Sequence, residues 1–172
     1  GATNYGLELE VTKSLETMIG LRNFSVSMNA SYIFSEVQFA NSMSERSRPL
    51  QGQSPFVVNT SLFYQNDKAG ISSSLMYNVM GKRILVAAEL NQGEVVQPDI
   101  YEMSRHVLDF SLNKKVGKHL ELKLGIKDLL AQNFVTQQTF DYQKDGVSKS
   151  VTLNNKTYNL GRTWTVGASW KF

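Results

Sequence analysis

The chain has no cysteine and only two histidines among its 172 residues. The first absence excludes a disulfide scaffold and any thiolate metal site, and it leaves the compartment open. Charge is also scarce. Asp, Glu, Lys and Arg make up 19% of the chain, below the ~25% of an ordinary soluble domain. Uncharged polar residues fill the gap, a mixture that suits strands with one polar and one apolar face. The net charge is only +3. Lys and Arg are scattered, and no basic patch with interleaved aromatics speaks for nucleic acid. No apolar run approaches the ~20 residues of a membrane helix. No leader pattern is present either, because Gly1-Ala2-Thr3 runs straight into a strand. The expectation is a removed leader or a piece of a longer chain.

What the chain does have is period two. Seven runs alternate. The first puts Tyr5, Leu7, Leu9 and Val11 on one face and Gly6, Glu8, Glu10 and Thr12 on the other. The second sets Phe24, Val26, Met28, Ala30, Tyr32 and Phe34 against a serine-rich face, with Ile33 the single exception. The third presents Phe56, Val58, Thr60, Leu62 and Tyr64. The fourth presents Ile71, Ser73, Leu75, Tyr77 and Val79 and is expected to continue past Gly81 to Val86. The fifth shows Leu108, Phe110, Leu112 and Val116, and the sixth Leu120, Leu122, Leu124 and Ile126. The seventh shows Trp164, Val166, Ala168, Trp170 and Phe172. Asp128 to Ala131 breaks the sixth pattern and reads as a bulge or strand end.

The links alternate too. Short polar ones follow the first, third and fifth strands: Glu16 to Arg22, Gln65 to Gly70, and Gly117 to His119. Long ones follow the second, fourth and sixth: about Glu36 to Ser54, Ala87 to Ser104, and Gln132 to Leu160. Short turns at one end and long loops at the other match an antiparallel up-and-down transmembrane β-barrel. Aromatics agree: Phe24 and Phe34, Phe56 and Tyr64, and Trp164 and Trp170 bracket their strands, with Phe172 at the chain end. Ten residues at ~3.3 Å each, tilted about 40°, cover roughly 25 Å, the height of a lipid-facing band. Two other readings share the alternation. One is a small closed, lipocalin-like barrel with Leu7, Met28, Leu62, Leu112, Leu122 and Val166 turned inward on an apolar ligand. The other is a complete eight-stranded outer-membrane barrel. Its extra strand would come from a hairpin between Phe140 and Leu153 that turns at Asp145-Gly146.

Arg48 to Asn59 with Leu62-Phe-Tyr64, Tyr77-Asn78 with Gly81-Lys-Arg-Ile84, and Pro98 to Glu102 together resemble the C-terminal barrel of TonB-dependent outer-membrane receptors. So do Leu108-Asp109, Lys114-Lys115 with Gly117, and Leu122 to Leu130. Gly161 to Gly167 and Trp170-Lys-Phe172 resemble that family's final strand. The likeness is greatest to the branch with a carboxypeptidase-like regulatory domain before the plug. Ser104 and Ala131 depart from the pattern, which often has proline and asparagine there. The resemblance implies that residues 1–172 are a single segment, the last third of a 22-stranded barrel, with plug and TonB box absent. It places the chain in the outer membrane of a Gram-negative bacterium, where the receptor imports a scarce nutrient: carbohydrate, peptide, iron chelate or vitamin. The implied partners are outer-membrane lipid, the TonB system through the missing plug, the nutrient, and the barrel-assembly machinery through the strand ending at Phe172. An isolated fragment is expected to self-associate through its open edges.

Motifs for chemistry are sparse. No nucleophile elbow surrounds any serine, and Gly117-Lys118 lacks the rest of a phosphate loop. His106 and His119 sit at opposite ends of one strand, too far apart to share a metal. Lys114, Lys115 and Lys118 form a basic cluster, either a solvated turn or a contact to anionic headgroups. Glu8 and Glu10 share a face ~6.5–7 Å apart. They read as lumen-wall charge answered by Lys123, Lys127 or arginines of neighbouring strands rather than as a glycosidase pair. Tyr101, Phe140 and Tyr142 are the loop candidates for ligand contact. No enzyme, metal or cofactor is expected.

Overall fold

The computed structural model describes residues 1–38, 47–91 and 94–172, so parts of the first two long links lie outside the described residues. Strand accounts for 70% of the chain and helix for 3%, an all-β fold of antiparallel sheets. In chain order the elements are β1 (Ala2–Ser14), α1 (Leu15–Ile19), β2 (Phe24–Val37), β3 (Phe56–Asn66), β4 (Ile71–Met80), β5 (Arg83–Val86), β6 (Glu89–Asn91) and β7 (Glu94–Gln97). Then come β8 (Ile100–Glu102), β9 (Arg105–Val116), β10 (Leu120–Lys127), β11 (Phe134–Lys144), β12 (Val147–Tyr158) and β13 (Thr163–Trp170).

The seven alternating runs are the seven strands of one sheet, ordered β1-β2-β3-β4-β9-β10-β13. Their register keeps the apolar residues on one face from edge to edge. One hydrogen-bonded row passes through Val26, Leu62, Leu75, Phe110, Ile126 and Trp164. The adjacent row on the opposite face passes through Ser27, Ser61, Met76 and Asp109. Ile33, the exception in β2, lies opposite Gly6. A Cβ on Gly6 would meet the Tyr32 carbonyl oxygen at 2.7 Å and Ile33 Cγ1 at 3.3 Å. The apolar side chain on the polar face therefore fills the space the glycine leaves.

The short links step across the sheet. The β1–β2 ladder ends at Ser14↔Ser25. Ser25 aligns through Phe63 with Ser74, and the β3–β4 ladder ends three residues beyond, at Ile71. Ile71 faces Lys114, and the β9–β10 ladder ends two residues further, at Val116. That is five residues of stagger over four strand spacings. Placing the three turns level tilts the strands by about 40° for a ~3.3 Å rise and ~4.8 Å spacing.

The structure corrects four expectations. The fourth strand does not run through to Val86: β4 stops at Met80, and β5 joins another sheet. The reason is at Gly81, where a Cβ would meet the Phe56 ring and Pro55 at 2.9 Å, so the chain turns under Phe56. The long links are not plain loops. β5, β8, β11 and β12 form a four-stranded sheet, and β6 pairs with β7. The hairpin turning at Asp145-Gly146 forms, with positive φ at both residues as a two-residue turn requires. It runs from Phe134 to Tyr158 and joins β8 instead of adding an eighth strand to the main sheet. Finally, no closed barrel forms. β1 and β13 are the edges of a seven-stranded meander and run parallel, so simple antiparallel closure is unavailable. Leu7 is 76% and Val166 81% exposed, the reverse of the inward placement a small closed barrel needs. The short Glu16–Arg22 link holds the one-turn helix α1, with Ser14 accepting from the Glu16 N–H.

Burial is concentrated where the long links leave the sheet. Among the described residues the buried side chains are Val79, Ile84, Ser54, Ser74, Asp128, Thr136 and Gln138. All but Ser74 belong to that end or to the four-stranded sheet.

Candidate functional site

The bracketing aromatics fall at the two ends of the apolar face. At the short-link end Phe24 packs on Tyr64, ring centroids 4.8 Å apart, and Trp170 stacks on His119 at 5.7 Å. At the other end Phe34 stacks on Tyr5 at 4.9 Å, Phe56 lies opposite Tyr32, and Trp164 lies opposite Ile126. Phe34, Phe56, Trp164 and Trp170 are exposed. Phe172 lies beyond the end of β13, outside the strand assigned to it, and is fully exposed.

The lysines named for the polar face lie far from the glutamates. Glu8 and Glu10 are on edge strand β1, whereas Lys123 and Lys127 are on β10, five strands away. At ~4.8 Å per strand this is roughly 24 Å. Glu8 instead accepts from Asn29 Nδ2 at 2.6 Å, and Lys123 lies 3.9 Å from Glu121 on its own strand. His106 bonds Tyr77 through Nδ1 at 2.5 Å, at the opposite end of β9 from His119. Among the described residues no cluster of His, Cys, Asp or Glu could hold a metal ion. Lys114, from the basic cluster, donates to the Ala69 carbonyl at 2.6 Å.

The three loop candidates separate. Phe140 and Tyr142 are on the outer part of β11, paired with Val151 and Lys149. Tyr101 is on β8 opposite Ile84 and Gln137. Strand parity therefore puts Tyr101 on the other face of the small sheet from Phe140 and Tyr142. Tyr101 lines a cleft of about 410 Å³ between the top of β2, the segment 49–55, and β5. Ile33, Pro55 and Ile84 supply apolar wall, and Lys82 places its ammonium 4.2 Å from the Tyr101 ring centroid. Burial raises the Tyr101 hydroxyl pKa above its usual 10.0, and Asp99 raises it further against an opposing effect of Arg48.

Three arginine–carboxylate pairs lie at the long-link end: Arg48–Asp99 at 2.7 Å between the first two long links, Arg83–Glu102 at 2.8 Å between β5 and β8, and Arg105–Asp128 at 2.5 Å between β9 and the residue after β10. Asp128 sits at positive φ just past β10 and donates its N–H to the Asp109 Oδ1 at 2.8 Å. The break in alternation there is thus a strand end built around a buried carboxylate. Sequence reading did not single out Lys82 as a site residue. The glycine before it marks where β4 ends. No family model, curated protein or solved structure matches this chain.

Proposed function

We propose that this chain is a wall segment of a TonB-dependent outer-membrane receptor, with no enzymatic role. One observation carries the reading: a seven-stranded meander whose apolar face is continuous from edge to edge and uncovered, while the opposite face is polar. Water penalises such a face at ~25 cal/mol per Å², whereas a bilayer interior does not. The register stagger supports it, since about 40° of tilt is what a membrane barrel needs. The structured long links and short opposite turns fit an outside and a periplasmic end. Within the 22-stranded barrel that the resemblance implies, these would be the last strands of the wall. The TonB system would act through a plug elsewhere in the receptor, and the assembly machinery would engage the β13 strand with its exposed Trp164 and Trp170. The long-link end would help select the nutrient.

The chain's two tryptophans lie at opposite ends of β13 and report on this directly. After refolding into vesicles whose acyl chains carry bromine, both Trp164 and Trp170 are expected to be quenched. Quenching should be strongest for bromine near the headgroups, as single Trp→Phe variants would resolve. A chain that stays monomeric in water, unquenched and free of dye-binding apolar surface would overturn the reading.

A further inference from the structure

The cleft beneath β5 and β8 holds two donors without an acceptor among the described residues. The carboxylates around it are taken by arginines, Asp99 by Arg48 and Glu102 by Arg83. Lys82 has no carboxylate partner among the described residues, and its ammonium rests on the Tyr101 ring. The hydroxyl on that same ring makes no hydrogen bond among the described residues. Much of the remaining wall is apolar, from Ile33, Pro55 and Ile84. A volume of about 410 Å³ falls in the range of small-molecule sites. A cation with no carboxylate partner among the described residues matches one negative charge, and an apolar wall matches an apolar body. A sugar, with hydroxyls on every side, would leave most of them unpaired here.

We propose that this cleft binds a small monocarboxylate with an apolar body, its oxygens held by the Lys82 ammonium and the Tyr101 hydroxyl. The proposal rests on the receptor reading, because it assigns the long-link end a ligand class. The Tyr101 hydroxyl is an ordinary phenol, protonated at neutral pH, so it is available as a donor.

The test uses the whole chain in nonionic detergent with isotope-labelled isoleucine methyls, titrated with 4-phenylbutyrate and with its neutral amide. Saturable shifts are expected at Ile84 and Ile33, with the carboxylate bound about 10-fold more tightly than the amide, the worth of one charge-assisted hydrogen bond. Lys82→Met should remove that preference and leave amide binding unchanged, which also shows that the cleft is still folded. Lys82→Arg should keep most of the preference, and Lys118→Met, in the far turn, should change nothing. Equal affinity for the two probes, an indifferent Lys82→Met, or shifts confined to Ile71 and Ile126 on the main sheet would overturn the proposal. The tryptophan quenching separates the two readings. Quenching without a carboxylate preference sinks the cleft alone, while the preference without quenching sinks the membrane wall and leaves the cleft.

Discussion

Leu75, in the middle of the seven-stranded sheet, is 38% exposed, and Ile84, just past the end of the same strand, is 1% exposed. The two are neighbours in chemistry and opposites in placement. On the sheet, apolar side chains face outward and their cross-strand partners are again apolar, so the stabilising medium must come from outside the chain. At the long-link end the chain provides its own interior, made of Ile84, Thr136, Gln138 and half-buried Arg–carboxylate pairs. One molecule therefore contains an uncovered apolar face and a cap with its own interior, and the boundary runs near Gly81 and Asp128. Substitutions on either side of it should behave by different rules.

The largest effect is expected in the cap. Arg105 is the partner of Asp128, whose other carboxylate oxygen is already buried without a hydrogen bond. Arg105→Met strands that charge and should cost about 3–5 kcal/mol. Hydrogen exchange should show the loss at the start of β9, the end of β10 and the adjoining β11, with β1 to β3 unaffected. Uniform loss across the seven strands would mean that the cap and sheet are one cooperative unit, and the contrast between them would fail.

On the sheet, Leu75→Arg should cost about 2–4 kcal/mol in vesicles, the penalty of an arginine at mid-bilayer depth. Ser61→Arg, on the polar face of the neighbouring strand, should cost less than about 1 kcal/mol. Urea unfolding from vesicles measures both. If the two substitutions cost the same, the faces do not meet different media.

A smaller effect tests the sheet's backbone. Gly6→Ala pushes a methyl toward the Tyr32 carbonyl and should cost about 1–3 kcal/mol by overpacking. Gly125→Ala, whose added carbon meets nothing closer than 3.6 Å, should be close to neutral. Denaturant midpoints for the pair would decide whether the β1–β2 contact is as tight as its geometry.

The same boundary separates what was legible in the sequence from what was not. Each long strand carries five or more alternations, and a register slip would turn its apolar set to the wrong face. Seven strands, their order and their faces could therefore be read before any coordinates. β5 and β8 are four and three residues long, too short for a period to emerge, and only long-range pairing makes them strands. The hairpin at Asp145-Gly146 was visible because its turn chemistry is local, but its partner was not. Glu8 and Glu10 lie five strands from Lys123 and Lys127, a separation that a shared face does not specify. Tyr101 was picked for its ring, but its cleft depends on the turn at Gly81, which brings Lys82 over that ring.

The smallest expected effect concerns Tyr101 itself. Its hydroxyl pKa is raised in the folded chain, chiefly by burial and then by Asp99. The folded state thus holds this proton more tightly than the unfolded chain, where the value is near 10. The associated stability is fully present below the unfolded value and is lost as pH rises through the folded one. Ultraviolet titration of wild type against Tyr101→Phe should show one phenol ionising late. Above pH ~10 the cap should loosen in wild type while Tyr101→Phe loosens less, and β1 to β3 should not respond in either. If exchange in β1 to β3 follows the same titration, the cap is not an independent interior, and the boundary at Gly81 and Asp128 is no more than a change of strand direction.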